Sequence, residues 1–309
     1  MPEGRRVLVT GGAGFIGSHL VDSLIESGFV VRVLDDLSTG TENNLNRDAE
    51  LVCGSILDPG LCDKACDGIE VVFHLAASVS VPASVNNPRE SLETNALGTI
   101  NVFESARGAG VRTVVYSSSS AVYGDSPDLP KSEQMAPSPV SPYAAGKLAG
   151  EHIAAAYARS YGMETVSLRY FNVFGPRQRP DSPYAAAIPI FFDRILRGEE
   201  VIVYGDGEQT RDFTYVDNVV EANLICLEAK ELRGQAVNCA CGEQISINEL
   251  IAEIETVTGR SATIRNEPPR AGDVRFSVAD CKLAEALLGF RPRIGWKNGL
   301  RLTSAYYST

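Results

Sequence analysis

No run of apolar residues in this 309-residue chain approaches the ~20 that cross a bilayer. No apolar leader-like segment precedes the strand-like run at residues 5–10. A membrane-spanning role is therefore excluded from the expectation, and a cytoplasmic protein is the reading. Positive charge is in deficit, with 28 Lys+Arg against 39 Asp+Glu and a formal net charge of -11. A surface of that sign repels polyphosphate chains and anionic bilayers, so neither nucleic acid nor a membrane is expected as a partner. Histidine is scarce at three residues, and the seven cysteines are odd in number. Cys62 and Cys66 could share a helix face, and Cys239 and Cys241 are closely spaced. His19, His74 and His152 cluster with neither pair, so no metal site is expected. A chain of this length with 44% hydrophobic residues buries a core without disulfide staples. Reduced thiols follow.

Apolar runs of strand length alternate with amphipathic segments of helix length. Strand-like runs fall at 5–10, 30–35, 51–53, 71–75, 111–117 and 165–170, with a first helix at 16–27. Val7-Leu8-Val9 and Val71-Val72-Phe73 are continuous rather than alternating, which suits strands buried on both faces. The expectation is an α/β fold: a Rossmann-type, doubly wound parallel sheet over the first ~170 residues. After Tyr170 the rhythm breaks at Gly175-Pro176, Pro180 and Pro183, followed by a helix at about 185–196. Residues 212–238 again read helix then strand and should return to the large sheet. The domain expectation is thus 1–170 plus about 212–238 for the dinucleotide-binding part. A smaller, discontinuous lobe takes about 171–211 plus 239–309.

Gly11-Gly12-Ala13-Gly14-Phe15-Ile16-Gly17 follows a strand and opens a helix. Gly11, Gly14 and Gly17 then sit where a pyrophosphate would meet helix-end amides. Asp35 and Asp36 end the next strand. A carboxylate there accepts hydrogen bonds from a ribose diol and repels a 2′-phosphate, and the residues that follow, Leu37-Ser38-Thr39, supply no cation. NAD is favoured over NADP.

Tyr143-Ala144-Ala145-Gly146-Lys147 places a phenol and an ammonium on one face of a helix starting near Ser141. Free tyrosine has a pKa of about 10, too high for a base at neutral pH, so a catalytic tyrosine needs a neighbouring cation. Upstream, Val114-Val115-Tyr116 leads into Ser117-Ser118-Ser119-Ser120 at the carboxyl end of a strand, where open α/β sheets bind ligands. Ser119 is the hydroxyl chosen to orient a reacting alcohol. Singly, each feature has a bland reading as a packed tyrosine, a solvated lysine or a loop. Their coincidence with the glycine turn carries the weight.

Together these residues resemble the extended short-chain dehydrogenase/reductases, and the chain is similar throughout to the UDP-glucose (UDP-galactose) 4-epimerase branch. The resemblance implies that Ser119, Tyr143 and Lys147 are the catalytic set. It implies NAD contacts from Gly11, Gly14, Phe15, Ile16, Gly17, Asp35, Asp36, Ser38 and Gly40 around the turn. Further contacts are implied from Ser55, Ile56, the His74-Leu75-Ala76-Ala77 segment, Asn95, Ser117, Tyr143, Lys147 and Tyr170. For a UDP-sugar it implies Ser80, Ser119, Tyr143, Asn172, Ala187, Ile188, Ile202, Tyr204, Arg211, Arg270, Asp273 and Ser277, with arginine forks suited to the diphosphate. Ser55 and Val79 depart from the aspartate and lysine of the best-known members. Ser277 is small where members restricted to plain hexoses are bulky, which leaves volume for an N-acetyl group.

The activity implied is 4-epimerisation of a UDP-hexose through a 4-keto intermediate, in a homodimer joined by a four-helix bundle from helices at about 88–108 and 141–161. Leu92 and Ala155 are apolar residues of those helices that could face outward or inward. The alternatives are a 4,6-dehydratase, a UDP-glucuronate epimerase or decarboxylase, or a binding protein that has lost chemistry. The dehydratase requires carboxylates beside its catalytic hydroxyl, and Ser118-Ser119-Ser120-Ala121 offers none in sequence.

Overall fold

The computed structural model describes residues 4–181, 186–269 and 275–307. Seven strands form one sheet: β1 (Arg6–Thr10), β2 (Val30–Asp35), β3 (Glu50–Cys53), β4 (Val71–His74), β5 (Thr113–Ser119), β6 (Glu164–Tyr170) and a seventh strand, Arg233–Cys239. The spatial order is β3-β2-β1-β4-β5-β6-seventh, and every pairing is parallel. The chain leaves β1 in one direction and returns beyond it at β4, so a crevice opens at the carboxyl ends of those two strands.

The continuous apolar runs are explained by two separate cores. Side chains alternate across a strand, and here both faces are dry. Val7, Val9, Val31, Val33, Val71 and Phe73 point into one core with helix α1 (Phe15–Glu26). Leu8, Leu34, Val72 and Val114 point into the other, against α2 (Pro59–Cys66) and later helices. Truncating a fully buried phenylalanine such as Phe73 to alanine would cost about 3–5 kcal/mol. Cys62 and Cys66 pack inward from α2 in that second core.

Beyond β4 comes a short helix, α3 (Val81–Asn86), and then a long one with a wide turn inside it. It runs as α4 (Pro88–Leu92), a π-helical segment over Glu93–Gly98, and α5 (Thr99–Gly108). Helix α6 (Pro142–Tyr161) starts on a Ser141 cap whose hydroxyl accepts from the Ala144 amide, and ends at Gly162 with φ +70. It lies close to the sheet because small residues face β5. A Cβ on Gly150 would fall 2.2 Å from the Tyr116 ring, and Ala155 backs onto Gly234 of the seventh strand. Ala155 is therefore inward-facing, whereas Leu92 is exposed.

A third cluster forms the smaller lobe, built on α7 (Ala187–Arg197), the strand Glu200–Tyr204 and Ile247–Thr258, with Trp296 and Leu300 closing it. α8 (Val216–Ile225) packs against α1, and the seventh strand completes the large sheet.

Candidate active site

The turn after β1 is shaped by what it excludes. Gly11 has φ +71, and a Cβ there would sit 2.7 Å from the Ala76 amide nitrogen. A Cβ on Gly17 would sit 2.1 Å from the Gly11 carbonyl, and one on Gly40 2.7 Å from the Ala13 backbone. Three backbone segments thus meet with no room for side chains. Helix α1 begins on Gly14 with no side-chain cap and no acid in its first turn, which leaves its positive end open to an anion. Asp35 is buried beside it and accepts from the amides of Ala13 (2.9 Å) and Leu37 (2.8 Å). Burial pushes its carboxyl up, and the two amides oppose that. Each oxygen retains a second lone pair for a ribose hydroxyl. Asp36 is exposed and accepts from the amide and hydroxyl of Ser38. The cradle fits a dinucleotide: glycine space for diphosphate, an open helix end, and a fixed carboxylate.

The remaining cofactor candidates divide by depth. Phe15 and Ile16 are partly buried and pack against the smaller lobe's core. Ser55 is half-buried, its hydroxyl accepting from the Leu57 amide. Ile56 buries its side chain in the second core, and its carbonyl is taken by Asn101 at 3.0 Å. Tyr170 likewise points into the first core, its hydroxyl paired with Asn223. The side chains of Ile56 and Tyr170 are thus both turned into packing. Leu75, Ala76 and Ala77 follow β4 half-exposed, but His74 is fully buried behind them. Asn95 is buried too and clamps the same loop, accepting from Ser78 N at 2.8 Å and donating to Ser78 O at 2.9 Å.

Ser119, Tyr143 and Lys147 come together where β5 ends and α6 begins. Tyr143 stands beside Ser119, and its backbone amide donates to Ser84 Oγ at 3.1 Å. Burial pushes the phenol up, and Ser119 opposes the shift. Lys147 is 3% exposed, and its Nζ donates to the carbonyl of Ser117 at 2.8 Å. Burial brings its ammonium down to about 7. Lys147 stands one turn beyond Tyr143 on α6, so an ammonium there and a phenolate at Tyr143 would favour each other's charged forms.

A buried ion pair that the sequence reading missed sits behind this set. Glu151, one turn beyond Lys147, accepts from Ser118 Oγ and from the fork of Arg169 at 2.8 and 2.7 Å. Both side chains are nearly dry, at 4% and 7% exposure. The Arg169 guanidinium also lies 4.7 Å over the Tyr123 ring. A carboxylate therefore does stand beside the serine run, contrary to the sequence expectation, but both its oxygens are held by Arg169. The signal was available: Tyr143, Lys147 and Glu151 form an i, i+4, i+8 series on one helix face.

On the smaller lobe, Asn172 is exposed with φ +28, and its amide donates to the Asp212 carbonyl at 3.1 Å. The Asp212 carboxylate is fully buried and collects the amides of Cys241, Gly242 and Ala279 at 2.9–3.1 Å. Burial pushes it up to about 6. It ties together the segments that carry Arg211 and Ser277. Arg211 is half-buried and donates to Thr210 O at 2.9 Å, and the half-buried Ser277 donates its amide to the same carbonyl at 3.2 Å. Ile202 and Tyr204 alternate with the buried Val201 and Val203 and so lie on the outer side of their strand. Ile188 is buried in the lobe's core, which leaves Ala187 as the more accessible of the pair. Ser80 caps α3, its hydroxyl accepting from Ala83 N. Arg270 and Asp273 lie outside the described residues. Among the described residues no group of three or more His, Cys, Asp or Glu is placed to hold a metal ion, and no helix is long and apolar enough to cross a membrane.

Comparison with known proteins follows the same lines. The chain is 40% identical over 309 residues to the UDP-glucose 4-epimerase of Mycolicibacterium smegmatis, covering 98% of each. It is 33% identical over 317 residues to a UDP-N-acetyl-alpha-D-glucosaminuronate decarboxylase of Bacillus cytotoxicus, covering 98% of each. Among solved structures, the Thermotoga maritima UDP-glucose 4-epimerase with UDP-glucose superposes with a TM-score of 0.94 at 41% identity, covering 98% of both chains. The UDP-N-acetylglucosamine 4-epimerase of Methanobrevibacter ruminantium, in complex with UDP-N-acetylmuramic acid, gives 0.95 at 38%, covering 99% of both. Residues 7–240, spanning the glycine turn, the β5–α6 junction and the seventh strand, match the NAD dependent epimerase/dehydratase family, to which this chain belongs.

Proposed function

We propose that the chain interconverts the C4 epimers of a UDP-hexose, taking UDP-glucose and UDP-galactose and also their N-acetylated counterparts. The observation that carries this reading is the junction of β5 and α6. Ser119, Tyr143 and Lys147 converge there, and the adjoining carboxylate, Glu151, is tied to Arg169 rather than free to expel water. That arrangement supports oxidation and re-reduction at one carbon and argues against dehydration.

Bound NAD would supply the hydride acceptor and donor for C4. The protein's own groups handle the proton. Tyr143 removes it from O4 as C4 is oxidised and gives it back after the 4-keto sugar has turned over, while Ser119 holds the oxygen in line. Lys147 would stabilise the phenolate and hold the nicotinamide ribose. Arg211 and Asn172, with Arg270, anchor the diphosphate so that only the sugar swings.

Ser277 bears on selectivity. Its small side chain leaves room for an acetamido group, and its backbone is fixed to Thr210. A homodimer through α4–α5 and α6 is part of the same proposal, supported by the exposed apolar side chains of Leu92, Leu97, Ile100 and Tyr161.

The test is direct. Protein with NAD is given UDP-galactose or UDP-N-acetylgalactosamine, and the anomeric protons are followed by NMR with no external oxidant. Both sugars should convert to their gluco epimers without net NADH, and Ser277→Tyr should abolish only the acetylated reaction. Loss of both reactions together in that variant would sink the selectivity assignment. No conversion of either sugar by the unaltered protein would sink the epimerase.

A further inference from the structure

His74 ends β4 inside the crevice wall, fully buried, and takes no part in the chemistry above. Both ring nitrogens are engaged. Nδ1 meets the Thr10 hydroxyl at 2.7 Å and Nε2 meets the Thr99 hydroxyl at 3.0 Å. Thr10 belongs to β1, immediately before the glycine turn, and Thr99 opens α5, immediately after the π-helical segment.

The direction of every hydrogen in this chain can be deduced. Thr99 Oγ1 lies 2.8 Å from the Asn95 carbonyl, which can only accept, so the single Thr99 proton goes there. The Thr99 oxygen must then accept from His74, which places a proton on Nε2. Burial, helped by the Lys147 charge, pushes the imidazole down to about 3, so the ring is neutral and Nδ1 is bare. Thr10 therefore donates to Nδ1, and its oxygen accepts from the Ala76 amide at 3.2 Å. The path runs Ala76 N–H to Thr10, Thr10 to His74, His74 to Thr99, and Thr99 to Asn95. The Asn95 side chain then closes it on Ser78, two residues from where it began.

We infer that His74, held as the neutral Nε2–H tautomer, is a positioning residue for cofactor binding: it locks the Leu75–Ser78 loop at both ends through a hydrogen-bond circuit that the Asn95 side chain closes on Ser78. The loop forms one wall of the crevice, with Ala76 N pressed against Gly11. The π-helical turn is the part that makes closure possible, because it presents Asn95 to the loop and to Gly146 of α6, where a Cβ would fall 2.7 Å from the Asn95 Cβ. A loop pinned at Ala76 and at Ser78 loses no further freedom when a ligand docks.

This inference rests on the crevice being the NAD site, and the two readouts separate the claims. Long-range 1H–15N correlation on 15N-labelled protein reports the tautomer, the His74 signals being assigned by their absence in His74→Gln. The expected signature is a neutral Nε2–H ring that stays neutral down to pH 5. An Nδ1–H ring, or protonation near the ordinary histidine value, overturns the circuit. In Thr99→Val, which keeps shape but removes the relay, NAD affinity should fall about tenfold, as loss of a buried hydrogen bond predicts, while UDP affinity stays unchanged. Unchanged NAD affinity overturns the positioning role. A loss of both affinities overturns it as well, since the damage would then not be confined to the cofactor wall.

Discussion

Tyr143 is where the proposed chemistry depends on a single atom. Tyr143→Phe keeps the ring and the fold but removes the proton acceptor, so kcat should fall by about 10²–10⁴ with UDP-sugar binding retained. Ser119→Ala removes an orienting bond and leaves the base, so its loss should be the smaller of the two. Steady-state rates beside sugar-nucleotide titrations decide this, and an equal loss in both variants would mean that Ser119 itself moves the proton. At this scale the sequence was readable where steric need is absolute. Gly11 and Gly17 have no substitute in the turn, and Asp35 follows at the end of the neighbouring strand. It was not readable where burial reverses a residue's apparent direction. His74, Tyr170 and Ile188 sit in motifs that resemble ligand-facing segments, yet their side chains point away from the crevice into packing that only the tertiary fold creates.

Helix α6 combines reaction and support along one face. Its first turns carry Tyr143 and Lys147, and the next carries Glu151, which joins β5 to β6 through Ser118 and Arg169. Glu151→Ala would strand the Arg169 charge in a dry site and should destabilise the fold by about 3–5 kcal/mol in urea unfolding. Glu151→Gln, which can still accept from Ser118, should lose less. Equal stability of the alanine variant and the unaltered protein would show that the pair carries no net weight. The extent of α6 was legible, since Ser141-Pro142 marks its start and Gly162 its end. The π-helical segment was not, because the phase shift of one extra residue is lost among the few apolar positions of residues 88–108.

For the molecule as a whole, both faces of the sheet were legible in the unbroken Val and Leu runs, and Arg233–Cys239 pairs with β6 as its seventh strand. The smaller lobe was less so. Its two-residue strands, such as Thr210–Arg211 and Thr214–Tyr215, are too short to leave a pattern. The proposed dimer is tested at this scale. Leu97→Glu with Ile100→Glu places two charges on an exposed apolar stripe and should give a monomer by light scattering, with NAD content unchanged. A dimer that survives both charges would place the contact elsewhere.

The widened turn at Glu93–Gly98 bears on how this chain tolerates changes of length. A π turn amounts to one inserted residue, and each residue of a regular helix advances the face by about 100°. Deleting a single residue there would restore a straight helix while rotating Asn95 relative to the Leu97 and Ile100 stripe. One face would be lost to the crevice or the other to the surface, so an indel at this position should be far more damaging than any conservative substitution along the same helix.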